Sequence, residues 1–169
     1  GYEWVPCVSC MHPLFDTPRT ATHEFVILSH KKFQLNLPDI PRMTNETTSF
    51  EKVLDFLGSG ETILTTSFHA AYWGTLLKRK VLVFPFNSKF ITMRHQPGIY
   101  PAKNWTRERW RLTLFKKTIY RSLYPGNMYV CDTEDWQSYI HKATVHNGSL
   151  EECRERNRWF YNKVMDIFS

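Results

Sequence analysis

Residues 61–89 read ETILTTSFHAAYWGTLLKRKVLVFPFNSK, and the division of this stretch decides the fold. The run TILTT is too short for a helix and too apolar to alternate, the pattern of a strand covered on both faces. Ser67 then serves as a helix N-cap, SFHAAYWGTLLK continues as a helix, and KVLVFPF is a second apolar strand. One histidine, His69, stands where the buried strand gives way to the helix.

The pattern extends toward the N-terminus. Phe25-Val26-Ile27-Leu28 is another continuous apolar run. After it, Ser49 is a plausible N-cap, Phe50, Val53, Leu54 and Leu57 fall at i, i+3, i+4 and i+7, and Gly58 is a stop signal. Strand, helix, strand, helix, strand implies right-handed crossovers and a parallel sheet with helices on both faces. The expectation is a Rossmann-like, three-layer α/β domain with strands over 25–29, 62–66 and 81–84 and helices near 49–57 and 68–78.

The remaining segments carry weaker signals. YEWVPCVSC suggests a lead-in strand and MHPLFDTPRTAT a loop. FQLNLPDIPRMTN is broken by proline and reads as irregular, and residues 88–104 read as a long loop, a place where function often resides. From Thr106 the pattern is helical: 106–123, then 132–144 with Asp132 or Thr133 as cap, then 149–168. In the last, Ser149 and Glu152 match the S-x-x-E capping box, and Leu150, Cys153, Asn157, Phe160, Val164 and Phe168 share one face. Residues 1–169 are thus expected to form one domain: lead-in 1–24, α/β core 25–104 and helical part 105–169.

Composition bounds the function. With 42% hydrophobic and 15% aromatic residues, disorder is excluded. No apolar run approaches the ~20 residues that a membrane span needs. The net charge of +6 favours anionic partners, including a membrane surface to which the protein would be peripheral. No zinc finger, RNP1 or GXXG pattern points to nucleic acid. Cys7-x-x-Cys10, Cys131 and Cys153 lack the second close pair of a zinc site, so no metal is expected and the thiols read as reduced in a cytoplasmic protein. The sequons at Asn45, Asn104 and Asn147 lack a secretory context.

Ligands of doubly wound sheets bind beyond the carboxyl ends of the strands. Thr65, Thr66 and Ser67 place hydroxyls at such an end, and a capped helix start offers free N–H groups and a dipole that favours an anion. His69 would lie in that first turn as a donor to a phosphate oxygen. Lys89 after the next strand, and His30 with Lys31 and Lys32 after the first, would bring positive charge to the same crevice. A half-buried His69 bonded to a backbone carbonyl is the competing reading, and spacing does not choose between them. Further candidates are His12, in a His-Pro dipeptide, and Arg94 and His95, which could close over a ligand from the long loop. No carboxylate stands out as a catalytic base.

The segment ILTTSFHAAYWGTLLKRKVLVFP resembles the strand-turn-helix-strand of polysaccharide pyruvyl transferase-like proteins and related GT-B glycosyltransferases. WVPCVSCMHPLFD, THEFVILSHKK and FNSKF are similar to segments of the same group, so the resemblance covers most of residues 3–90. The usual pyruvyl transferase turn has Arg between Ser and His and Gly after the His, where this chain has Phe68 and Ala70. The resemblance implies the carboxyl-terminal half of a GT-B fold that binds a nucleotide-activated donor for cell-surface polysaccharide synthesis and needs no cofactor. It implies donor-phosphate contacts from Ser67, His69 and Lys89, a glycan acceptor, and an N-terminal domain or partner subunit that supplies the acceptor site. On that reading the chain alone is inactive. The competing class is a non-catalytic binding module for an anionic ligand or protein partner.

Overall fold

A computed structural model describes residues 3–46, 49–103, 105–108, 128–131 and 133–168. Along the chain the elements are β1 (His23–Ser29), β2 (Phe33–Leu35), β3 (Arg42–Thr44), α1 (Phe50–Gly58), β4 (Gly60–Thr65), α2 (Phe68–Leu76), β5 (Lys80–Val83), β6 (Gly98–Ile99), β7 (Thr106–Glu108), β8 (Met128–Cys131) and α3 (Ser149–Phe168). Short 3-10 helices cover Val8–Met11, Pro13–Asp16, Ser88–Thr92 and Trp136–Lys142.

The three apolar runs become adjacent strands. The main sheet has the order β3-β1-β4-β5-β6, and all four pairings are parallel. Counting only the strands of this sheet along the chain, the order is 2-1-3-4-5, the doubly wound arrangement whose switch point lies between the first and third strands. Here those strands are β1 and β4. The fold is therefore α/β with a parallel five-stranded sheet and a C-terminal helix, compatible with a Rossmann-like domain.

Alternate residues of the central strands feed two cores. Val26, Leu28, Ile63, Val81 and Val83 face α1 and α2, with Val53, Leu54, Leu57 and Leu76 closing that layer. Ile27, Leu64, Leu82 and Phe84 face the other way, against Leu35, Tyr100, Cys131 and Trp136. Burying each such side chain is worth roughly 1.5–3 kcal/mol, so this double coverage outweighs any propensity term in fixing the central strands. The expected helical third layer is replaced, among the described residues, by a small sheet of order β2-β8-β7 and the 3-10 helix Trp136–Lys142.

The caps follow their side chains. Ser49 Oγ accepts from Lys52 N–H at 3.3 Å, and Ser67 Oγ accepts from Ala70 N–H at 3.5 Å. α2 is buried on most of its circumference. Gly74 lets it approach the sheet, since a Cβ there would lie 2.5 Å from Ile63 Cδ1 and 3.1 Å from Val81 Cγ2. That close approach seats α2 against β4 and β5.

Several expectations are corrected. Residues 3–7 are not a strand, because their backbone leads into the 3-10 helix Val8–Met11. The proline-broken stretch contains β2 and β3, and the long loop contains the 3-10 helix Ser88–Thr92 and edge strand β6. Thr106–Glu108 begins as a strand rather than a helix, since it pairs antiparallel with β8, and 109–127 lie outside the described residues. Asp132 lies outside the described residues, and the segment 133–144 is helical only as the 3-10 helix Trp136–Lys142, whose N-cap is Asp135 without a side-chain cap bond. Ser149 and Glu152 do not form a capping box: Ser149 Oγ donates to Thr75 O at 3.0 Å, and Glu152 turns its carboxylate to His95 and Arg94. Along the apolar face of α3, Leu150 and Cys153 are buried but Phe160 and Phe168 are exposed. Among the described residues no helix is long and apolar enough to cross a membrane.

Candidate functional site

The carboxyl ends of β1 and β4 are tied together by threonine hydroxyls. Thr65 Oγ1 donates to Leu28 O and accepts from Ser67 N–H at 2.9 Å. Thr66 Oγ1 accepts from His30 N–H and donates to Phe33 O, both at 2.8 Å, and the side chain is fully buried. These bonds explain why two threonines end the strand: each joins the turn after β4 to the backbone at or beyond the end of β1. Both lie within the backbone framework of the crevice.

Ser67 and His69 differ from the threonines. The Ser67 hydroxyl caps α2 and lines a cavity, and its proton has no acceptor among the described residues. His69, the second residue of α2, is exposed, and its ring nitrogens bond to none of the described groups. The ring leans on Trp73, with centroids 5.2 Å apart. A buried histidine bonded to a carbonyl is therefore not what is found. The backbone N–H groups of Phe68 and His69, the first two of the helix, likewise meet no acceptor among the described residues.

The cavity measures about 310 Å³ and is lined by Leu28, Asn45, Phe50, Val53, Ser67, His69 and Trp73. It opens beside the switch point between β1 and β4. Trp73 is held by its indole N–H, which donates to Ser9 Oγ at 3.0 Å, and Phe50 meets it edge to face at 5.0 Å. Asn45 Oδ1 accepts from Lys31 N–H at 2.9 Å. Among the described residues, no carboxylate, lysine or arginine is part of the lining.

The other sequence candidates fall elsewhere. His30 is half-buried; burial first, then the charges of Lys31 and Lys32, hold its pKa below the ordinary value. Its Nδ1 accepts from Lys32 N–H at 3.2 Å, and its ring packs against Phe33 and Phe86. Lys89 is exposed on the 3-10 turn after β5 and does not line the cavity. His12 caps the 3-10 helix Pro13–Asp16, its Nδ1 accepting from Leu14 N–H, and its ring touches Phe50. His95 Nε2 lies 2.8 Å from Glu152 Oε2, and Arg94 Nε 3.4 Å from Glu152 Oε1. The His95 bond, ahead of the opposing effect of burial, holds the Glu152 carboxyl below its usual range. These two side chains fasten residues 94–95 to α3.

Reading the sequence missed five of the seven lining residues. Phe50, Val53 and Trp73 looked like core, Leu28 like strand interior, and Asn45 like the end of an irregular stretch and a sequon. Only the parallel pairing of β3, β1 and β4 brings them together.

Comparison with protein-family models, curated proteins and solved structures found no match.

Proposed function

We propose that the chain is the donor-binding domain of a group-transfer enzyme, with a nucleotide-activated sugar or related donor held at the start of α2. The observation that carries this reading is the coincidence of three things at one switch point: a cavity, a capped helix start whose first two N–H groups meet no acceptor among the described residues, and a histidine whose ring nitrogens bond to none of the described groups. The helix start presents about half a positive charge, and the described lining residues include no carboxylate to oppose an anion. With no fixed cation among them either, the anion is held by amides, the dipole and His69. In the GT-B reading a second Rossmann-like domain faces this one and supplies the glycan acceptor site, and the product is cell-surface polysaccharide.

The lack of a carboxylate among the described lining residues also favours a second reading, a module that binds an anionic ligand without chemistry. Both readings share one test. In amide-resolved NMR of the whole chain, inorganic pyrophosphate or uridine diphosphate should shift the Phe68 and His69 amide signals most. Saturable shifts centred instead on Lys31, Lys32 or Lys89 would remove the α2 site. Measurable sugar transfer by the chain alone would contradict the expectation that a donor half is inactive by itself.

A further inference from the structure

Two cavity residues hold hydrogen-bond donors that the fold leaves unused. Asn45 Oδ1 accepts Lys31 N–H, an arrangement that turns its NH₂ to the other side as a donor without an acceptor among the described residues. Ser67 is 6% exposed; its oxygen accepts Ala70 N–H, and its proton remains to be donated. The other fixed walls are apolar or aromatic: Leu28, Val53, Phe50 and Trp73. His69 can donate or accept and so does not choose. At about 310 Å³ the cavity sits at the small end of ligand pockets, roughly 300–1,000 Å³, and suits one ring rather than a whole nucleotide-activated sugar.

We infer that this cavity seats the uncharged planar ring of the ligand, a nucleobase of the pyrimidine-dione type, with Asn45 and Ser67 as the donors that read its carbonyl edge. The inference rests on the proposed nucleotide reading and adds which part of the nucleotide enters the cavity and what selects it. Aromatic walls favour a flat ring face. A ring presenting an amine in place of a carbonyl at that edge would offer the Asn45 NH₂ and the Ser67 hydroxyl proton no acceptor, which is how a hydrogen-bonding site disfavours a near-isostere. The phosphates then lie outside the ring pocket, where the N–H groups of Phe68 and His69 are unengaged.

Calorimetric titration of the whole chain with uridine diphosphate, cytidine diphosphate and inorganic pyrophosphate tests this. Uridine diphosphate is expected to bind at least about tenfold tighter than cytidine diphosphate, a factor that one mismatched hydrogen-bonding edge supplies, and pyrophosphate weakest of the three. Asn45→Asp puts an acceptor where the donor was, at an exposed position. It should level or invert the uridine-to-cytidine ratio, and a ratio is unaffected by the added negative charge, which repels both ligands alike. Equal binding of the two nucleotides, a ratio unchanged in Asn45→Asp, or pyrophosphate binding as tightly as uridine diphosphate would each overturn the base assignment while leaving the anion site standing. Binding of none of the three would overturn the anion site as well.

Discussion

At the start of α2, His69 is exposed, bonds to none of the described groups and borders a cavity. At residues 94–95 the same residue types are engaged: His95 and Arg94 both reach Glu152, and the side chain of His95 is 16% exposed. The sequence made both regions candidates, since each joins histidine to a basic or helix-terminal setting. The difference teaches that residue type nominates a site, but unengaged donors beside empty space distinguish a binding surface from a fastening. The Thr66 and Ser67 pair repeats the lesson within one turn, because one hydroxyl is fully bonded to backbone while the other has a proton to give.

The comparison can be broken most forcefully at Thr66. Thr66→Val leaves His30 N–H and Phe33 O without their partner, each costing about 1–3 kcal/mol. We expect a loss of about 2–4 kcal/mol in urea unfolding. An unchanged midpoint would show that this hydroxyl is not structural. A smaller effect is expected at Glu152. Its side chain is 42% exposed, so Glu152→Gln should cost under about 1 kcal/mol, without altering nucleotide affinity; altered affinity would bring residues 94–95 back into the site.

Acid should act separately on His30 and on the fastening at Glu152. The His30 pKa is lowered on folding, so its contribution is fully present above the unfolded value of about 6.5 and declines as the pH falls through it. Protonation also removes the lone pair that accepts Lys32 N–H. The lowered Glu152 carboxyl adds stability present above about pH 4.3 and lost below it as the group protonates. Urea midpoints should therefore drop between about pH 7.5 and 5.5, less so in His30→Phe, and a second time below about pH 4, less so in Glu152→Gln. The smallest effect is expected for Lys89→Ala, under about 1 kcal/mol in nucleotide binding and diminished by salt, because the side chain is exposed and outside the cavity.

What was legible in the sequence was what local chemistry decides. β1, β4 and β5 announce themselves as continuous apolar runs, and α1 and α2 by serine caps that the structure uses. The strands β2, β3 and β6 are two or three residues long and exist because distant partners supply their hydrogen bonds, to which Pro38 and Pro41 give no clue. The helical period after Thr106 likewise yielded, at its first residues, to pairing with β8. In the site, Ser67 and His69 could be found from the strand-to-helix junction alone. Asn45 and Phe50 could not, because their nearness depends on β3 lying beside β1.

The central claim is that His69 serves a ligand and not the fold. One titration of uridine diphosphate against His69→Ala, on protein whose melting temperature has been recorded, tests it most directly. Loss of a hydrogen bond to a charged group should weaken binding by about 1.5–3 kcal/mol, roughly 10- to 150-fold, with the melting temperature unchanged because the ring is exposed and unbonded. A variant that melts lower and binds the nucleotide as the native chain does would contradict the account.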